Sequence, residues 1–460
     1  MRDAICGALA GLVGGLVFGQ VMAVIGYLPT VAAIVRTDSP VVGFAVHLLI
    51  AAIIGSVFGV LVARQRELLF WGLAYGVLWW FLGPLTLLPL LLGRPVSWDA
   101  ATAQALIPSL LGHLAYGAVT AAVLAVLSRK ERRLRPGLLL RAAAAGLFTG
   151  AVLGLGSNGL SAEAVLGLGW NGLIVGALVG ASYAVVFGDP REGAGPALIR
   201  GAAFGFVWWV LAAVTLSPLL DGRGLQWTSA AVRTAVAALP AHVLLGAGTA
   251  LLTSLLGVLS RAVFSDDVRH TLEGRLAGGR VISIWHGVIA GLAGGAIFTG
   301  VMVAVGFLPV VASLVGSESA VAGLVIHLLI SQAVGVTYAV LFRRRSFDPA
   351  SGIGWGVSYG FVWWVLGNLT LLPVLLGAEP RWSAAALALS FPSLIGHLAY
   401  GAVLGLVYQR LEERVAPWHL TRSEATAARA AARHEQTLSA APALWSLITC
   451  VALLIPILVS

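Results

Sequence analysis

The sequence predicts an all-α, polytopic membrane protein: three parallel four-helix repeats about a pseudo-threefold axis, plus one extra C-terminal transmembrane helix. Three observations carry this. Of 460 residues, 59% are hydrophobic and only 10% charged, with a mean hydropathy of +0.95; a soluble domain carries about a quarter charged residues. Apolar runs recur from end to end, each long enough to cross a hydrocarbon core of ~30 Å as a helix. The chain also repeats itself. Residues 72–128 align without gaps to 356–412, and 168–258 align without gaps to 323–413.

Thirteen spans are predicted, at roughly 4–27, 41–63, 69–92, 99–127, 142–161, 166–187, 201–221, 228–258, 285–308, 320–342, 353–376, 383–408 and 443–459. The first lacks a short apolar stretch with a small-residue cleavage site, so it reads as a membrane helix and not as a leader. The implied organisation is repeat one at 1–128, a cytoplasmic linker at 129–141, a degenerate repeat two at 142–260, a linker at 261–284, repeat three at 285–412, a cytoplasmic amphipathic segment at 413–441 and an extra transmembrane helix at 442–460. An even number of helices per repeat returns the chain to the same side, which gives the parallel class of transporter repeat.

The net charge of +9 is an orientation signal and not a nucleic-acid footprint. Alternate loops hold 23 of the 28 basic residues; the opposite side has only Arg36, Arg94, Arg223, Arg381 and Arg233. The positive-inside rule makes the rich side cytoplasmic. A bacterial plasma membrane with the N-terminus cytoplasmic and the C-terminus outside is therefore expected, with the lipid bilayer as partner. Cys6 and Cys450 both sit in apolar spans and imply no disulfide framework.

The first helix of each repeat carries a small residue every fourth position: Gly7, Gly11, Gly15 and Gly19; Ala142, Gly146, Gly150 and Gly154; Gly287, Gly291, Gly295 and Thr299. That spacing makes one smooth face for close helix packing. The third helix repeats a Trp pair ending at Trp80, Trp209 and Trp364, then Thr86, Thr215 and Thr370, then Pro89, Pro218 and Pro373. These Trp and Thr residues are candidates for lining a cavity, with core packing as the alternative. Trp98, Trp227 and Trp382 open the fourth helices and read as interface anchors. "TRSE" at 421–424 reads as a capping box on Thr421 and Glu424. The final helix has no counterpart in the repeats and is a possible docking element for a partner protein.

Five histidines fall within spans, where ionisable groups are functional hypotheses by default. "PSLLGHLAYG" at 108–117 and "PSLIGHLAYG" at 392–401 differ at one letter, and the middle copy, "AALPAHVLLG", is eroded. His113, His242 and His397 each lie 15 residues after the Trp anchor, which puts them ~22 Å below it on a continuous helix. They are candidates for a mid-membrane ring. His47 and His327 lie ~10 Å inside the outer end of the second helix; repeat two has Gly172 there. Repeats one and three also share an outer loop, "YLPTVAAIV" and "FLPVVASLV", with Pro29 and Pro309, which repeat two lacks. His47, His327, Pro29 and Pro309 are thus candidates for one outer site, built twice. His270, His286, His419 and His434 read as solvated. The depth difference argues against one metal shared by His47 and His113. Whether a metal binds at all is left open, as is the identity of any cofactor.

No predicted span carries a mid-membrane Asp, Glu or Lys, which disfavours strong ion coupling. No phosphate loop, dinucleotide fingerprint, haem-attachment motif or nucleophile–base constellation is present, so an enzyme is not expected. The four-helix unit, with His47 early in the second helix and "HLAYG" at 113–117, matched by His327 and 397–401, resembles uncharacterised bacterial inner-membrane proteins of the YagU-like kind. The resemblance implies a four-span fold and an inner-membrane location, with no activity attached; Gly172 and Leu245 depart from it. Three functions are open: a transporter or passive pathway for a small solute or ion; an accessory, haem- or quinone-binding subunit of a membrane redox complex; or a structural, partner-binding membrane protein.

Overall fold

The computed structural model describes residues 1–128, 136–156, 172–188, 193–264, 279–343, 345–414 and 440–459, with scattered positions between 423 and 436. Most of the linker stretches, His270, His419 and the Thr421–Glu424 box lie outside the described residues. The chain is an all-helical integral membrane protein. Among the described residues, twelve helices are long and apolar enough to cross a bilayer. The predicted span 166–187 is represented by the shorter apolar helix Leu173–Phe187, because 157–171 are not described.

In the first segment the order is α1 (Arg2–Val24), α2 (Leu28–Ala32), α3 (Pro40–Leu61), α4 (Leu68–Leu82), α5 (Leu88–Leu91), α6 (Ala100–Ala105) and α7 (Ile107–Leu127). The second has α8 (Pro136–Gly156), α9 (Gly172–Phe187), α10 (Ala194–Trp208), α11 (Ser217–Leu220), α12 (Ser229–Ala235) and α13 (Leu239–Phe264). The third has α14 (Gly279–Ala304), α15 (Leu308–Ala312), α16 (Ala320–Phe342), α17 (Pro349–Trp363), α18 (Leu372–Leu375), α19 (Ala384–Leu389) and α20 (Phe391–Arg414). The chain ends in α21 (Ala441–Val459).

Two compact units result. One holds Met1–Arg132, Gln226–Val232 and His434–Leu458; the other holds Arg133–Leu225, Arg233–Arg433 and Val459–Ser460. Within each segment, the first long helix packs on the second and the third on the fourth. Missing side chains make both seams. A methyl group on Gly11 would strike Ala51 O, and one on Gly291 would strike Ser331 O. At the other seam Gly72 faces Gly117, Gly201 faces Gly246, and Gly356 faces Gly401, backbone against backbone.

Three features differ from the sequence expectation. First, the fourth span is not one continuous helix. It breaks at Leu106, ahead of Pro108, and again between α19 and α20, ahead of Pro392. Proline has no N–H and its ring crowds the carbonyl four residues back, Gln104 or Ala388, so the preceding turn cannot run through it. Second, the third span carries a π-helical stretch: Gly83–Leu87, Trp209–Leu216 and Trp364–Leu371. In each case the proline two residues beyond removes a backbone donor, and the widened turns precede it. Third, α21 is not a free docking helix. Leu444, Leu447, Ile448 and Ala452 are all 2% exposed or less, and Gln104 Nε2 donates to Ile457 O at 2.9 Å. This chain already occupies that face.

Candidate functional site

The break in the fourth span changes the depth of its histidine. His113 is only the seventh residue of α7, and His397 the seventh of α20. Six steps at 1.5 Å place each ring ~9 Å inside the start of its helix. His47 and His327, each seven steps into their helices, come out ~10 Å deep. The predicted ~22 Å depth assumed an unbroken helix, which does not hold for His113 and His397; around His242 the stretch Ser229–Ser260 runs on as one span. In the first and third segments the two classes of histidine share one level.

They also share one neighbour. The Phe18 ring sits edge-on to both His47 and His113, with centroids 5.3 and 4.9 Å apart. Phe298 does the same for His327 and His397, at 5.3 and 4.6 Å. Gly112 and Gly396 make this possible, because a side chain on either would overlap the phenyl ring. The second segment carries Leu153 in place of the phenylalanine and Ala241 in place of the glycine, alongside Gly172. Three of the positions that touch in the structure change together in the sequence, while the histidine of the fourth span is kept as His242.

Hydrogen bonding fixes each imidazole. His113 Nδ1 lies 2.7 Å from Ser109 O, His242 Nδ1 2.7 Å from Ala238 O, and His397 Nδ1 2.8 Å from Ser393 O. A carbonyl only accepts, so Nδ1–H donates and Nε2 of the neutral ring keeps its lone pair. His47 Nε2 reaches Gly15 O at 3.0 Å and His327 Nε2 reaches Gly295 O at 3.1 Å; in these the lone pair remains on Nδ1. The small-residue face of the first helix thus serves twice, as packing seam and as the source of an orienting carbonyl.

In the third segment these groups border a cavity of about 240 Å³. His327, His397, Asn368, Ser331, Ser393 and Tyr400 contribute its polar lining; the remainder is apolar or aromatic, including Phe298, Phe307 and Trp363. Ile330 on α16 and Leu371 and Leu375 near α18 line it while also being exposed at the surface, by 42%, 40% and 68%. The cavity therefore opens sideways between the second and third spans. Ile330 is ten residues into α16, ~15 Å along it, and Leu375 ends the third span, so the mouth runs from mid-span to the span's end.

Asn368 stands in the π-helical stretch, 6% exposed, lining the cavity and without a hydrogen-bond partner among the described residues. Its amide atoms are not sealed in packed protein, so they are open to the cavity. The aligned positions hold Pro84 and Ala213, which carry no side-chain amide. Sequence reasoning missed Asn368; the signal available was a lone amide in a run whose two other copies are apolar.

Several predicted site residues lie elsewhere. Trp80 and Trp209 are packed in the core, donating to Leu106 O and Ala235 O at 3.0 and 2.8 Å, and Trp364 is equally buried. The preceding residue, Trp363, lines the cavity instead; neighbours on a helix diverge by about 100°. Thr86, Thr215 and Thr370 do not present their hydroxyls to a ligand. Each donates to the carbonyl five residues back, Phe81, Val210 or Val365, at 2.8 Å. Pro29 and Pro309 start the short helices α2 and α15. Their neighbours Phe307, Val311 and Leu314 line the cavity, whereas Pro309 does not. Trp98 is exposed at 66%, as an anchor should be, but Trp227 and Trp382 are 7% exposed, and Trp382 Nε1 donates to Thr370 Oγ1. His286 is not solvated; its Nδ1 lies 2.7 Å from Glu412 Oε1.

The proposed ring of His113, His242 and His397 gains no support as a metal site. Among the described residues no three His, Cys, Asp or Glu side chains are grouped to hold a metal. Each of the three is engaged within its own segment, and His242 Nε2 is sealed in packed protein with no partner. Arg200, absent from the predicted sites, is fully buried in α10, with its guanidinium 5.9 Å from the Phe187 ring. Comparison of the chain with family models, with curated proteins and with solved structures gives no match.

Proposed function

We propose that this integral membrane protein is a transporter or passive pathway for a small, uncharged solute that it holds in the cavity of residues 285–412. The observation that carries the reading is that Asn368, buried and without a hydrogen-bond partner among the described residues, lines one cavity together with His327 and His397, whose rings have fixed lone pairs. No charged side chain lines that cavity, and an ion inside it would have no counter-charge, at a cost of several kcal/mol. This narrows the solute to a neutral one. The three aligned segments are read as parallel repeats, the third keeping the full polar lining and the second having lost most of it. An inner-membrane location with the N-terminus cytoplasmic belongs to the same proposal, as do the kinship with YagU-like proteins and the absence of catalysis.

A haem subunit is the weaker reading. The cavity is smaller than the roughly 300–1,000 Å³ of drug-sized pockets, too small for a macrocycle. Purified protein is expected to show no Soret band. The pathway itself is tested in proteoliposomes by stopped-flow light scattering with urea, glycerol and benzene-1,4-diol as probes. Wild-type protein should accelerate equilibration of at least one probe, and His397→Ala with Asn368→Ala should remove the acceleration. Equal rates in wild type, double variant and protein-free vesicles would remove the pathway.

A further inference from the structure

We infer that the cavity in residues 285–412 recognises a ring-hydroxylated aromatic molecule of the quinol type, through His397 Nε2, His327 Nδ1 and Asn368. The inference rests on the proposed binding role of that cavity and deepens it.

The hydrogen-bond inventory decides the class. Two nitrogens in the lining are acceptors only, because the Nδ1–H of His397 is committed to Ser393 O and the Nε2–H of His327 to Gly295 O. The Tyr400 hydroxyl hydrogen is committed as well, to Ser331 O at 2.8 Å. Against two free acceptors stand three groups that both donate and accept, the Asn368 amide and the Ser331 and Ser393 hydroxyls. A ligand that satisfies this set carries at least two donors and an oxygen that can also accept. A pair of ring hydroxyls does so; a quinone, with two carbonyls, accepts from the amide and the serine hydroxyls but leaves both imidazole lone pairs unmet.

The walls decide the rest. Phe298, Phe307, Trp363 and Tyr400 surround the space with aromatic faces and edges, which suit a flat ring. The mouth at Ile330, Leu371 and Leu375 is wholly apolar and lies within the second and third candidate spans. An alkyl substituent on the ring would leave through it into lipid. A sugar or a polyol would fill the acceptors but bury its remaining hydroxyls against these walls without partners.

The test uses the full chain in lipid nanodiscs, with isothermal titration calorimetry and subtraction of empty discs. The probes are 2-methylbenzene-1,4-diol and its di-O-methyl ether, which has the same ring and no donors. The diol is expected to bind at least tenfold more tightly than the ether. Asn368→Ala, an exchange already present at the aligned Ala213, and His397→Ala should each weaken the diol about fivefold, the effect of one hydrogen bond, and leave the ether unchanged. If His397→Ala fails to fold, Asn368→Ala alone decides. Equal affinity for diol and ether, or undiminished diol binding by Asn368→Ala, overturns the assignment. Flux without diol selectivity would reject the ligand class and keep the pathway; diol selectivity without flux would do the reverse.

Discussion

At the residue scale, the histidines matter less by being ionisable than by being pinned. Each ring hands one N–H to a backbone carbonyl and shows the other nitrogen to its surroundings, the arrangement that fixes a ligand's orientation. Phe298 and Gly396 hold the pair apart. Gly396→Ala should therefore push Phe298 off its seat and destabilise the protein by about 1–3 kcal/mol, as overpacking does, read as a fall in the midpoint of denaturant unfolding in detergent. Tyr400→Phe removes the hydrogen bond to Ser331 O and should cost about 1 kcal/mol by the same measurement. The histidines were legible in the sequence because they are polar letters in apolar runs. Phe18, Phe298, Gly112 and Gly396 were not, since Phe and Gly are ordinary letters in a membrane helix and only contact shows their joint role.

At the element scale, the third span shows how a short pattern sets a local geometry. Threonine three residues before proline recurs at Thr86, Thr215 and Thr370. Each hydroxyl caps the carbonyl five back, in the widened turns ahead of the proline. The same stretch in the third segment carries Gly367 and Asn368 to the cavity wall. Thr370→Val keeps the shape and removes the hydroxyl, so it should lower stability by about 1 kcal/mol and weaken diol binding together with it. Unchanged binding after that exchange would mean that the turn holds Asn368 without the threonine. The pattern was visible in the sequence, but its reading as cavity lining was wrong because a threonine in a helix first serves its own backbone. The fourth span failed for a related reason: hydropathy runs through Leu106 without interruption, and only the backbone break moves His113 and His397 to the level of His47 and His327.

At the scale of the whole molecule, one ion pair ties a helix start to the chain beyond α20. Asp348 caps α17 and pairs with Arg433 at 2.9 Å. Partial burial opposes its charge, but the Ser351 N–H and hydroxyl and the Arg433 guanidinium outweigh that and hold the carboxyl below its ordinary value. A depressed carboxylate stabilises the fold above its unfolded pKa of about 3.9 and loses that contribution as pH falls through the folded value. Asp348→Asn should accordingly lower the melting temperature at pH 7 and differ little from wild type near pH 3; an equal deficit at both pH values would assign the effect to the cap alone.

Composition by itself determined that the chain lives in a bilayer, because no soluble fold hides so much apolar surface; self-similarity is what leads us to read it as four-helix segments. Tertiary structure decided which letters act together. Helix breaks and widened turns cost a few dihedral angles and leave hydropathy unchanged, yet they set depth and facing. That is why "HLAYG" could be read as a repeated histidine, while its place opposite Phe298 and Asn368, beside an open cavity, could not.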